Sequence, residues 1–349
     1  MQRYYNIELL RFLCALTVAI YHWGLSFELM KMESNDTFKS LLNFAYDHGA
    51  NAVPVFFVIS GLVFANVYLS QEKNETLHNF AVKRFARLYP LHLLTLFLIL
   101  FLQTLFLKLY GKYELYTFND IYHFFLNITL LLGWNFEMGR SFNTPVWTVG
   151  QEIFIYFLFF SLMIFIKKHQ IKFILLIYLF FLTIDKLKLA DVNFLKEFIN
   201  FTYFIDFTRL FFSGIFIYYI IKKFKNSKLL LIASFLCIAF SFLGTFKLHL
   251  FCFSTVLLFV LLDRFNSNNK LKEIFTFLGS LTYSIYLLHT LTFLIFLFLL
   301  KQLNKIDLFY YQATFIIYIL FTISLSLLSF KFFENKLNKH LRDKFIKKD

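Results

Sequence analysis

Residues 7–25, IELLRFLCALTVAIYHWGL, place Glu8, Arg11 and His22 in a run otherwise apolar enough to cross a bilayer. At about 100° per residue, the eleven steps from Arg11 to His22 complete three turns and leave the two side chains about 20° apart, on one helix face. A rise of about 1.5 Å per residue separates them by roughly 16 Å along the axis, about half of a hydrocarbon core. Glu8, three residues before Arg11, lies on the same stripe within pairing range. A charge near mid-span costs on the order of 2.5–3.5 kcal/mol, so such residues face a protein interior or a watered cavity. The stripe reads as a polar path touching both leaflets. The plainer alternative has Glu8 and Arg11 snorkelling to the inner interface and His22 sitting at the outer one.

Other charged groups recur in apolar surroundings. FAVKRFARLYP, residues 80–90, carries Lys83, Arg84 and Arg87, the two arginines as i, i+3 neighbours that suit phosphate groups or, more simply, anchor a span. NTPVWTVGQEIFIYF, residues 143–157, holds Glu152 inside a span, where a carboxylate contributes little to orientation. FIDFTRLFFSG, residues 204–214, offers Asp206 and Arg209 as an internal ion pair. His289, in LTYSIYLLHT, has the bland reading of a helix-packing hydrogen-bond donor. Cys14, Cys237 and Cys252 have no metal-ligand spacing and read as buried thiols. No glycine-rich phosphate loop and no HExxH occurs, so no metal is expected.

The elements that would position these groups follow from composition. The chain has 349 residues, 59% of them hydrophobic, with 10 Gly and 3 Pro, outside the range of soluble domains. At roughly 20 apolar residues per span, ten candidates appear: 5–25, 49–69, 87–109, 146–166, 171–185, 203–221, 229–245, 248–262, 275–300 and 308–330. Residues 121–134 are apolar but too short to cross and read as re-entrant or interfacial. With both termini cytoplasmic, 22 of the 35 Lys and Arg fall on the inner side, 11 fall on the outer side, and Arg11 and Arg209 lie inside spans. The net charge of +14 is therefore an orientation signal, and nucleic acid is not an expected partner. Arg11 interrupts the first apolar run and no small-x-small site follows it, so that run reads as a retained anchor. The expected fold is all-α, a polytopic membrane domain over 1–333 with about ten transmembrane helices and a basic cytoplasmic tail over 334–349.

Six pieces, in order, resemble the acyltransferase-3 family of integral membrane O-acyltransferases. They are ELLRFLCALTVAIYH, VPVFFVISGLVFA, RFARLYP, PVWTVGQE, RLFFSG and LTYSIYLLH. Glu8 and Leu9 stand where the family commonly has Asp and Gly. The resemblance implies the stand-alone form, without a following hydrolase-like domain, as a multi-pass protein of a bacterial inner membrane. It further implies transfer of an acyl group, most often acetyl, from cytoplasmic acyl-CoA to a hydroxyl of a surface glycan or its lipid-linked precursor. Carried over, Arg84 and Arg87, with Lys83 beside them, would engage CoA phosphates. Arg11 would orient the pantetheine or thioester end. His22 would be the general base or a transient acyl carrier, and Glu152 would orient the histidine or the sugar. Two other readings fit the same polar stripe: a transporter or flippase of a lipid-linked glycan or small acid, and a non-catalytic partner in polysaccharide assembly. The chain shows no convincing internal repeat of the kind transporters often have.

Overall fold

The computed structural model describes residues 3–26, 36–70, 75–186, 201–224, 227–243 and 247–346, and they form an all-helical bundle without a β-strand. In chain order the helices are α1 (Tyr5–Ser26), α2 (Asp36–Gly49), α3 (Ala52–Phe64), α4 (Leu77–Tyr110), α5 (Ile121–Ile128) and α6 (Trp147–Lys186). There follow α7 (Phe201–Lys223), α8 (Ser227–Ser241), α9 (Leu248–Leu262), α10 (Asn269–Ser280), α11 (Thr282–Gln302), α12 (Gln312–Ser329) and α13 (Asn335–Phe345). Among the described residues seven stretches are long and apolar enough to cross a membrane, and α8 and α9 are shorter apolar helices. α6 breaks at Gln170, where φ 47° and ψ −128° leave helical geometry, so it supplies two of the expected spans. The chain is thus a polytopic, all-α membrane protein.

Several boundaries differ from the expectation, α4 for one starting at Leu77 and not at 87. The span expected over 275–300 begins at Thr282, because α10 is a separate helix that ends at Ser280. α10 carries Lys270, Lys272 and Glu273, too polar for hydrocarbon, while Leu271, Ile274 and Phe277 form an exposed apolar stripe at i, i+3 spacing. Asn335–Phe345, expected as tail, is helical and packs on α4, with His78 Nε2 bonded to the Phe345 carbonyl at 2.9 Å. Within the expected interfacial segment 121–134 the helix is only the eight residues of α5, with Ile121 and Phe125 exposed. Residues 27–35 of the expected outer loop 26–48, and residues 244 and 245 of the expected seventh span, lie outside the described residues.

The glycines of two motifs explain how tightly the bundle closes. A Cβ on Gly61 would strike the Phe211 carbonyl oxygen, and one on Gly214 would strike the Val58 carbonyl and approach the Leu62 nitrogen at 2.8 Å. α3 and α7 therefore touch backbone to backbone, a small-residue crossing of the kind membrane helices use. Phe57 and Phe207 stack across the same interface with centroids 4.1 Å apart. The start of α1 is capped from α9: the Asn6 amide donates to Asp263 Oδ1 at 2.8 Å, satisfying one of the unpaired first-turn amides. Burial pushes the Asp263 carboxyl up to about 6, against the amides of Asn6 and Tyr5 and the Lys272 ammonium, which favour its charge.

Candidate active site

Arg11, Arg84, Arg87 and Glu152, from three helices, line one cavity with about 110 Å³ of free space. Its other walls are apolar and aromatic, including Phe56, Phe57 and Val63 of α3 and Tyr286 of α11. Three guanidiniums face one carboxylate there, because Glu8, which pairs with Arg11 at 3.0 Å, is not on the wall. In a desolvated setting that excess attracts an anion with an apolar end.

The two arginines of RFARLYP have different surroundings. Arg84 sits among four rings, 4.4 Å from the Phe64 centroid, 5.4 Å from Tyr156 and 5.8 Å from both Tyr68 and Phe80. Its Nη2 donates to the Tyr68 hydroxyl at 2.8 Å, and its buried Nε finds no partner. Arg87, one turn on, makes no hydrogen bond to another described residue and exposes its side chain, although it stands well inside the bundle. What it faces is the cavity. Tyr283 of α11 fixes the backbone beside it by donating to the Leu88 carbonyl. Lys83 is not on the wall and pairs with Glu75.

Glu152 Oε1 accepts from Ser60 at 3.0 Å and from the Tyr156 hydroxyl. Thr148, one turn earlier, meets the Tyr286 hydroxyl at 2.6 Å, and Tyr286 also donates to the Pro145 carbonyl at 2.9 Å. The PVWTVGQE segment is therefore bolted to α11 at one turn and presents its carboxylate to α3 at the next.

His22 does not line the cavity. Its ring lies 4.8 Å from that of His289, which lies 6.1 Å from Tyr286, a wall residue. Nδ1 of His22 is 2.9 Å from the Val18 carbonyl, and because a carbonyl only accepts, Nδ1 carries the proton in the neutral ring and Nε2 the lone pair. His289 repeats the pattern with the Ile285 carbonyl at 3.2 Å and is fully buried. The Arg209–Asp206 pair forms at 3.3 Å, with His249 joining Asp206 at 3.2 Å, away from the cavity.

Sequence reading missed Ser60, Tyr156, Tyr283 and Tyr286, although each lies in or beside a motif that was singled out. It also missed Glu334, whose Oε1 accepts from Ser284 at 2.5 Å and Ser329 at 2.7 Å. That carboxylate, in a π-helical turn over Phe330–Glu334, acts electrostatically on Arg87 and Tyr283 from behind the wall. Nothing in a hydropathy pattern marks a π turn.

Residues 4–331 match the acyltransferase-3 family, whose common unit is described as an acyltransferase domain. No curated protein and no solved structure matches the chain. The match runs from the first helix to the last crossing helix and takes in every wall residue of the arginine cavity. This chain belongs to the acyltransferase-3 family of membrane acyltransferases.

Proposed function

We propose that this protein transfers an acetyl group from cytoplasmic acyl-CoA to a hydroxyl of a cell-surface polysaccharide or its lipid-linked precursor, at a bacterial inner membrane. The observation that carries the donor assignment is Arg87, a guanidinium without a hydrogen bond to another described residue, facing a cavity that two further arginines line. A phosphate-bearing thioester satisfies those donors and places its apolar end among Phe56, Phe57 and Val63. Arg84 and Arg87 hold the phosphates of that donor. Arg11, held by Glu8, orients the thioester end.

On the acceptor side, His22 Nε2 takes the proton of the attacking hydroxyl. The hydroxyl oxygen bonds to the thioester carbonyl carbon and the C–S bond breaks. The proton returns from His22 to the leaving thiolate, giving ester and free CoA thiol. His289, packed on His22, holds the ring in place, and Glu152 orients the sugar or the carbonyl from the cavity wall. The test is thiol release from acetyl-CoA by purified protein in proteoliposomes containing the glycan acceptor. The proposal expects glycan-dependent release, whereas intact thioester with active glycan movement would assign a carrier instead.

A further inference from the structure

The outer connection between α4 and α6 is tied down around one residue. The Met138 amide donates to His123 Nε2 at 3.1 Å, and His123 is itself oriented through Nδ1 by Asp120 at 2.8 Å. A Cβ on Gly139 would strike the Phe118 ring, so the chain passes flat against that side chain. The Phe142 amide donates to Asn119 Oδ1 at 2.7 Å, and Asn119 donates back to the Leu115 and Tyr116 carbonyls at 2.9 and 3.0 Å. Between these fixed points stands Arg140, exposed, with no hydrogen bond or ion pair to any other described residue.

The position of that guanidinium is set by the same framework. Asn143, three residues on and fully buried, donates to the Leu287 carbonyl at 3.0 Å, two residues before His289. His289 packs on His22 at 4.8 Å. Arg140 acts electrostatically on both His22 and Tyr116. Arg140 thus stands without a protein counter-charge among the described residues, on a segment anchored to α11 two residues before His289. Neither Arg140, His22 nor His289 lines the arginine cavity that would take the donor.

We propose that Arg140 recognises the acceptor, and that the acceptor carries an anionic group, a carboxylate or a phosphate ester, close to the hydroxyl that is acylated. This rests on the acyltransferase reading. A guanidinium on a fixed platform makes charge-assisted hydrogen bonds to either oxyanion, and being exposed it does so in a salt-dependent way. The experiment uses purified protein in lipid nanodiscs, open on both faces, with saturating acetyl-labelled CoA and polysaccharide extracted from the producing strain. Arg140→Ala should raise the KM for polysaccharide about tenfold and flatten the salt dependence, while acetyl-CoA binding holds. Arg140→Lys should restore most of the loss, and Arg140→Glu should be worse than alanine. Carboxyl-reduced polysaccharide that behaves with the wild-type protein as native polysaccharide does with Arg140→Ala identifies a carboxylate. Dephosphorylated polysaccharide doing so identifies a phosphate ester. Wild-type KM and salt slope in both Arg140→Ala and Arg140→Glu would overturn the proposal. Absence of transfer by the wild-type protein would bring down the acyltransferase reading, and the proposal with it.

Discussion

Replacing Arg84 and Arg87 one at a time should separate two functions that the RFARLYP motif combines. Arg84 makes a hydrogen bond to Tyr68 and lies within 6 Å of four aromatic centroids. A charged hydrogen bond contributes about 1.5–3 kcal/mol and a partly desolvated cation–π contact about 0.5–2 kcal/mol, so Arg84→Ala should cost about 2–4 kcal/mol of stability. Arg87 donates to no described residue, and the charges around it are of both signs, Arg11 and Arg84 against Glu152 and Glu8, so Arg87→Ala should leave stability nearly unchanged. Its loss should instead appear in the donor. One charge-assisted contact to phosphate, at about 1.5–3 kcal/mol, corresponds to roughly 10- to 150-fold in the Kd of acyl-CoA. Arg87→Lys, keeping charge but losing the planar fork, should fall between. Thermal unfolding in detergent and isothermal titration with acetyl-CoA read the two quantities independently. Equal loss of stability in both alanine variants, with equal donor affinity, would refute this division.

Three other expectations follow from particular contacts. Gly214→Ala should cost about 3 kcal/mol or more, because its Cβ meets the backbone of α3, and should be seen as loss of monodisperse protein on gel filtration; normal yield would mean that α3 and α7 can separate freely. Asp263 has a folded-state pKa of about 6 against an unfolded value of 3.8, so the folded chain binds the extra proton between those values. Stability should therefore rise as pH falls from about 6 to about 4, and Asp263→Asn should flatten that window in a detergent melting series, whereas an unchanged slope would assign it to other groups. Glu152→Gln keeps an acceptor for Ser60 and Tyr156 but loses the charge. Folding and donor binding should survive while kcat falls at least about tenfold, and an unchanged kcat would remove Glu152 from the chemistry.

The sequence showed which residues were anomalous better than it showed what they touch. Charge in an apolar run is visible without coordinates, which is why Arg11, Arg84, Arg87 and Glu152 were found before the cavity that unites them. The all-α, repeatedly apolar architecture was legible for the same reason, although the described residues hold seven stretches long enough to cross, two shorter apolar helices, and an α6 continuous but for Gln170. Less visible were contacts made by ordinary residues. Ser60, Tyr283 and Tyr286 are common in membrane helices, and only the packing of α3, α6 and α11 gives them a cavity to face. The difference between Arg84 and Arg87 depends on Phe64, Phe80 and Tyr156, which come from three helices. In RLFFSG the arginine forms the internal ion pair expected of it, while the glycine serves a helix crossing that no charge pattern announces. The loop over 110–145 carried no readable pattern, because its order rests on side chain to backbone bonds that no periodicity announces.

The central claim is that the arginine cavity delivers an acyl group and His22 passes it to a glycan. Its most direct test is transfer of label from acetyl-labelled CoA in inverted membrane vesicles, comparing the wild type with Arg87→Ala and His22→Ala at matched protein level. The account predicts labelled polysaccharide or lipid-linked glycan in the wild type. Arg87→Ala should recover it only at raised acetyl-CoA, and His22→Ala at no concentration. Equal labelling in all three at limiting acetyl-CoA would contradict it.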